Sequence, residues 1–457
     1  DRATVPLIRD GDNFREATWD EALAAAAKIL RENAADDLGI LVHPSTSNEE
    51  GALLARLAEA LGTGNLDHRI GQLDLSDGAI AEAFAMPAAE LEQADAIVIV
   101  GSNLRHEVPL LHQRLRKAVK RGAKVHVVNP VDFDVAFALA SKQVVAPSQL
   151  ADAIGKVDLG DAANVAVIVG GVAENSVHAA AIRKAATDFA ASKGAKLCRI
   201  PQGANALGLS QHGVLPASRD AQAMLRDARA GYLIYGIEPG LDFADQLTAL
   251  KALGGAQVVA FCQFACQSTR RVADVILPIG ALPEIDATLT NLDGVAQMTS
   301  AAGKLPGQAH AGWRVLRALA DELKLDGFGY TDLAGLRAGI NPKSVQAGKG
   351  SAPAIAGTGL EVVASQAIYR VDGVTRRAEA LQAHPLNAGP RVLLNPADAA
   401  TAGLVDAAMA KLSTANGTAT LQVVVDDRVA PGCAWIETGH GATAPLAASA
   451  KVEVVRA

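Results

Sequence analysis

Cysteine is scarce in this 457-residue chain, with only Cys198, Cys262, Cys266 and Cys433. Those spacings exclude a disulfide framework and a zinc quartet. A thiolate-held iron–sulfur cluster needs a close run of cysteines, and none is present. Cys262 and Cys266 flank a strand-like apolar stretch and read as buried structural thiols. So few cysteines fit a reducing, cytosolic compartment. Aromatic residues are only 4% against 50% hydrophobic, so the core must be built from Ala, Val, Leu and Ile. Positive charge is also short: 42 Lys and Arg face 49 Asp and Glu. That excludes the basic footprint of a nucleic-acid binder and a polybasic membrane patch. The longest uncharged apolar run, Ala256 to Cys266, is far too short to cross a bilayer. Disorder, collagen and coiled coil are excluded by composition. No targeting segment is visible. The opening residue is Asp1, not Met, and the chain reads as part of something longer.

The first two-thirds of the sequence alternates helix and strand. Thr18 and Glu21 have capping-box spacing, and an Ala- and Leu-rich helix follows to about Glu32. Leu38 to His43 reads as a buried strand. Ser47 and Glu50 open a second helix that ends at Gly62. Ala94 to Val100 and Ala123 to Val128 are apolar strands on either side of a helix from about Val108 to Arg121. After Pro147 the rhythm resumes with Val165–Val169, a helix from about Ser176, and strands at Lys196–Ile200, Tyr232–Tyr235 and Gln257–Cys262. Continuous apolar strands alternating with helices imply a parallel sheet covered on both faces. A helix spans Ala311 to Leu323. From Arg391 the period changes to strand, with Arg391–Leu394, Ala410–Ser413, Thr420–Val425, Lys451–Val455 and a turn at Asn416-Gly417. The expected domains are therefore an α/β unit over 1–147 and a second over 148–340. A loosely attached linker follows at 341–388, then a small β-barrel at 389–457.

Ligands of open α/β sheets sit beyond the carboxyl ends of the strands. The loops there are His43–Asn48, Gly101–Leu104, Asn129–Val131, Gly170–Gly171 and Gly236–Gly240. None carries GxGxxG. Gly348-Lys349-Gly350-Ser351 lacks the upstream glycine of a P-loop. His43, His68 and His440 have no partner at ligand spacing and read as surface or capping residues. One segment has more order. It runs from Cys266 through Gln267, Thr269 and Ala273-Asp274-Val275-Ile276-Leu277-Pro278 to Glu284, Thr288, Asn291 and Gln297. Amide, hydroxyl and carboxylate ends recur along a loop after a buried strand. Recognition of a polar heterocycle and a loop satisfying its own backbone both fit this pattern.

The same segment resembles the molybdopterin oxidoreductase family. That family's QxTxxxADVVLP and ExxGTxxNxEGRxQ are similar to QSTRRVADVILP, Gln267 to Pro278, and EIDATLTNLDGVAQ, Glu284 to Gln297. Gly101-Ser102-Asn103-Leu104 with Pro109 and Gly122-Ala123-Lys124-Val125 resembles its GxNPxxxxP…GAKVIVIDP. Asn395-Pro396-Ala397-Asp398-Ala399 with Gly403-Leu404 resembles its C-terminal dinucleotide-binding barrel. The resemblance covers nearly the whole chain. It implies two or more doubly wound α/β units around a cleft, plus a C-terminal β-barrel. It also places Asn103, Gln267, Thr269, Glu284, Thr288, Asn291 and Gln297 along that cleft.

The departures from the pattern carry functional weight. Active members put a Cys, selenocysteine or Ser on the metal shortly after a motif like NxD. Here the stretch is Asn65-Leu66-Asp67-His68-Arg69-Ile70-Gly71-Gln72-Leu73-Asp74, and the ligand position falls near Leu73, which cannot bind molybdenum. Ala287 replaces a family Gly, Val295 its Arg, and Ala407 another Gly. The implied state has no catalytic residue, no metal ligand and no cofactor in this chain, the seven cleft positions being a relic. NLDHRIGQLD with a decayed site resembles one branch, the large iron–sulfur subunit of NADH-quinone oxidoreductase, respiratory complex I. The resemblance then implies iron–sulfur clusters in a preceding N-terminal part. It implies other peripheral-arm subunits as partners, no nucleic acid and no direct membrane insertion. The implied location is cytoplasmic, peripheral to the inner (plasma) membrane through the complex. Two rivals stay open: an active formate dehydrogenase-like enzyme, and a domain that binds a pterin or nucleotide without chemistry.

Overall fold

The computed structural model describes residues 1–344 and 346–457. Two compact units emerge, and neither is a continuous stretch of chain. The first comprises Asp1–Gly71, Gly78–Ala81 and Pro201–Ser351; the second comprises Gln72–Asp77, Glu82–Ile200 and Ala352–Ala457.

The sheet of the first unit has seven strands in the order Asn13–Glu16, Leu7–Asp10, Val275–Pro278, Gln257–Cys262, Gly231–Tyr235, Leu38–Val42 and Leu66–Asp67. The last five run parallel. The N-terminal hairpin adds an antiparallel edge. Successive side chains serve opposite faces, as strand geometry requires. Ile40 and Val42 join Leu54, Leu57, Leu316 and Leu319 on one side. Leu41 joins Ile234, Ala260 and Leu253 on the other. The helix Trp19–Glu32 begins with the expected capping box between Thr18 and Glu21, and Asn48–Ala60 starts at Ser47.

In the second unit five strands, all parallel, run in the order Ser141–Val144, Lys124–Asn129, Ala96–Val100, Val165–Val169 and Lys196–Arg199. Strand order reverses between Ala96–Val100 and Val165–Val169, the switch point of a doubly wound sheet. This unit also holds a closed six-stranded barrel: Leu360–Gln366, Cys433–Thr438, Arg391–Leu394, Gly417–Val425, Met409–Thr414 and Lys451–Arg456. Phe133 and Val131 of the α/β part share a core with Trp435 and Val429 of the barrel, the Phe133 and Trp435 rings meeting edge to face at 5.4 Å.

The fold class follows the expectation, but four local readings are corrected. The division at 147 cuts across both α/β sheets, because parallel pairing joins strands distant in sequence: Leu38–Val42 pairs with Gly231–Tyr235. The 341–388 segment contains a barrel strand, Leu360–Gln366, which is mostly half-buried with no alternating pattern to mark it. The polar stretch 267–297 is not one loop. It forms the helix Gln267–Val272, the buried strand Val275–Pro278 and the hairpin Ala287–Thr290/Ala296–Thr299. Cys266 is only half-buried, while Cys262 is buried; burial pushes the Cys262 thiol far above its usual range.

Ala407 explains its own departure from glycine. Its backbone is left-handed, φ 63°, and the residue is exposed, so conformation and not crowding favours Gly there. Left-handed backbone costs a non-Gly residue about 1–2 kcal/mol, against about 0.5–1 kcal/mol of lost chain freedom for Gly. Ala407→Gly is therefore expected to raise stability by up to about 1 kcal/mol, read from the denaturant midpoint at unchanged slope.

Candidate functional site

In the first unit four of the six cleft positions of the 267–297 segment, Thr269, Glu284, Thr288 and Asn291, are met by protein groups. Thr269 is fully buried, and its hydroxyl lies 3.2 Å from the Cys266 thiol. Gln267 and Gln297 are exposed. Glu284 accepts hydrogen bonds from the Arg2 guanidinium at 2.7 Å and from the Ala281 N–H at 2.8 Å. Thr288 donates its hydroxyl at 2.6 Å and its N–H at 3.0 Å to Glu49, a carboxylate 1% exposed that also pairs with Arg337 at 2.6 Å. Asn291 closes the hairpin turn: its Oδ1 accepts the N–H groups of Asp293 and Val295, both at 3.0 Å. Gly294, φ 80°, supplies the left-handed residue of that turn.

Upstream, the NLDHR motif is buried throughout. Asp67 and Arg69 form an ion pair at 2.9 Å with side chains 0% and 2% exposed. Burial raises the Asp67 pKa, but Arg69 outweighs it and the net shift is downward. Asp67 also accepts the Ala221 N–H at 3.1 Å, and Arg69 donates to the Ala79 carbonyl at 2.8 Å. His68 and His440 are buried, not surface residues. Burial lowers each imidazole to about 4. His68 holds the Val214 carbonyl at 2.7 Å through Nδ1.

Leu73, where the resemblance places a metal ligand, belongs to the second unit and is 7% exposed. Its segment, Gln72–Asp77, is fixed by Arg183. That guanidinium donates twice to Asp77 at 2.7 Å and once to the Asp74 carbonyl at 2.6 Å. It also reaches Glu174 at 3.1 Å. Glu174 in turn pairs with Arg199 at 2.7 Å. Asp74 accepts the Ala180 N–H at 3.0 Å. A leucine in this clamped segment offers no donor to a metal. Among the described residues, no group of three or more His, Cys, Asp or Glu is placed to hold a metal ion.

Asn103 caps the short helix Leu104–Glu107 at the switch point of the second unit, and its own side chain makes no capping bond. Its N–H donates to Glu107 Oε1 at 2.8 Å, and Gly171 N–H donates to Oε2 at 2.8 Å. Burial raises the Glu107 pKa while those two N–H groups pull it down. Asn129 bridges the N–H and carbonyl of Ser102, at 2.8 and 3.0 Å. Sequence reasoning missed Glu107, Glu49, Glu174, Arg183 and Arg199. Glu107 alone left a signal, a carboxylate inside the loop motif after a buried strand. The other four find their partners only through tertiary contacts.

The residues present do not fit a molybdenum cofactor. Leu73 has no ligating atom, and no cluster of donors among the described residues takes its place.

Comparison with known proteins places this geometry. The molybdopterin oxidoreductase family model matches residues 2–322, and a molydopterin dinucleotide binding domain matches residues 360–454. An NADH-quinone oxidoreductase subunit of Mycobacterium tuberculosis is 28% identical over 93% of this chain and 60% of its own length. The mitochondrial NADH-ubiquinone oxidoreductase 78 kDa subunit of Candida albicans is 30% identical over 74% of this chain and 47% of its own. The chain thus spans about half the length of such relatives. A shorter match, 28% of the chain at 34% identity, is to the F420-dependent formate dehydrogenase subunit alpha of Methanocaldococcus jannaschii. Acetylene hydratase from Pelobacter acetylenicus shares the fold, with TM-score 0.71 at 16% identity over 96% of this chain and 85% of that one.

Proposed function

Because the chain belongs to the molybdopterin oxidoreductase family, we propose that it is a member that keeps the fold and carries no redox centre. It serves as a structural domain of an NADH:quinone oxidoreductase. In this reading it braces a preceding domain whose iron–sulfur clusters pass electrons from NADH toward quinone. Its partners are other subunits of the peripheral arm. It binds neither nucleic acid nor cofactor, and it sits at the cytoplasmic face of the membrane through the complex. No described helix is long and apolar enough to cross a membrane. The observation that carries the reading is Leu73, an apolar side chain in a segment clamped by Arg183, which is buried and paired with the buried Glu174. The formate dehydrogenase-like alternative needs a donor at that position.

The relic hairpin supplies a test. Asn291→Ala removes the acceptor of two turn N–H groups. The turn is half-exposed and water can reach the freed N–H groups, so the expected loss of stability is about 0.5–1.5 kcal/mol, the net worth of an ordinary hydrogen bond. NADH-to-quinone turnover of the assembled complex should stay at the wild-type rate. Lost turnover with normal assembly and melting temperature would mean that the position is functional and would contradict this reading.

A further inference from the structure

We propose that Glu107 is a built-in anion that closes the ligand position of the five-stranded sheet. The proposal rests on the reading that the chain binds no dinucleotide, and it gives that reading a local cause. A doubly wound sheet takes its ligand beyond the strand ends, where strand order reverses. Here that point lies between Ala96–Val100 and Val165–Val169. The loops leaving these two strands each point one backbone N–H at the same carboxylate, from Asn103 and from Gly171. Convergent backbone N–H groups form the concavities in which proteins hold phosphate and carboxylate ligands. In this chain both donors are already taken by a residue of the chain itself.

The loops also pack closely against each other. A Cβ built on Gly170 would meet the Ser102 side chain and come within 2.8 Å of Glu107 Oε2. One built on Gly101 would lie 2.7 Å from the Ala173 nitrogen. The Ser102 hydroxyl is buried beside the carboxylate and makes no hydrogen bond of good geometry. Asn129 fixes the Ser102 backbone from the neighbouring strand end. Glu107 therefore acts as an internal substitute for an anionic ligand: it satisfies the donors and fills the crevice.

Chemical rescue tests this. Glu107→Ala removes the carboxylate and leaves two N–H donors facing a space of its size. The variant should melt at a lower temperature than wild type, and sodium formate should raise that temperature saturably. Sodium chloride at equal ionic strength should not, and wild type should not respond to formate. A folded Glu107→Ala that answers formate no better than chloride overturns the proposal. Glu107→Gln keeps the volume but turns an amide N–H₂ toward a backbone donor. It should melt several degrees below wild type at neutral pH; a wild-type melting temperature overturns the proposal even where the alanine variant does not fold. GDP serves as the probe for the underlying reading. Stoichiometric GDP binding by wild type contradicts the absence of a nucleotide site, whatever the variants do. Failed rescue without GDP binding removes only the role given to Glu107.

Discussion

Replacing Arg183 by methionine is expected to lower the unfolding free energy by about 3–5 kcal/mol, the cost of breaking a buried ion pair by removing one partner. The Arg183 side chain is 4% exposed and the Glu174 side chain 2%. Its four hydrogen bonds hold Asp77, the Asp74 carbonyl and Glu174 together. Methionine matches the stem but none of the donors. Glu174 keeps Arg199, so the loss falls most heavily on Gln72–Asp77. Equilibrium denaturation measures the total. Hydrogen exchange at residues 72–77 separates local release of this segment from global weakening. Arg183→Lys keeps the charge but loses the planar fork, and it should fall between the methionine variant and wild type. An unchanged unfolding free energy in Arg183→Met would show that the clamp does not hold the segment.

The second large effect is acid destabilisation through His68. Its ring is 1% exposed, and burial lowers its pKa from 6.5 to about 4, with Asp67 pulling the other way. The folded chain takes up this proton only near pH 4, whereas the unfolded chain does so near 6.5. Between those values the unfolded state binds more protons, so stability rises with pH and is lost as pH falls through the window. About 2.5 pH units at 1.36 kcal/mol each give about 3 kcal/mol. His440, also lowered to about 4, acts in the same direction. Glu50 and Glu107, both raised by burial, act in the opposite direction. The contribution of His68 is therefore the difference between wild type and His68→Gln, compared at pH 7 and pH 5, a span that holds about 1.5 of those units and so about 2 kcal/mol of the effect. Parallel pH profiles for the two proteins would show that His68 does not stay neutral in the fold.

The fold was largely legible because local signals agree with it. Val165–Val169 and, after Gln257, the rest of Gln257–Cys262 read as apolar runs and are buried parallel strands. Thr18 and Ser47 mark helix starts by their side-chain chemistry. Chain partition was not legible, since nothing local to Leu38–Val42 says that its neighbour is Gly231–Tyr235. Leu7–Asp10 and Asn13–Glu16 were missed for a related reason. An exposed edge hairpin carries charges on both strands and loses the apolar signature. At the candidate site the motif located Thr288 and Asn291, but not the groups that satisfy them. Glu49 looked like an ordinary first-turn carboxylate, and only the tertiary fold brings it 2.6 Å from the Thr288 hydroxyl. Glu107 stood in plain view within Gly101–Pro109, yet its two partners come from separate loops.

The central claim, a molybdopterin oxidoreductase fold without a redox centre, is tested most directly by metal and pterin content. Molybdenum and tungsten would be quantified by mass spectrometry, and pterin by fluorescence after oxidative extraction, on this chain and on the intact assembly. Leu73 at the ligand position and Glu107 at the switch point predict neither metal nor pterin at stoichiometric level in either sample. Molybdenum or tungsten near one atom per chain, accompanied by pterin, would contradict the account.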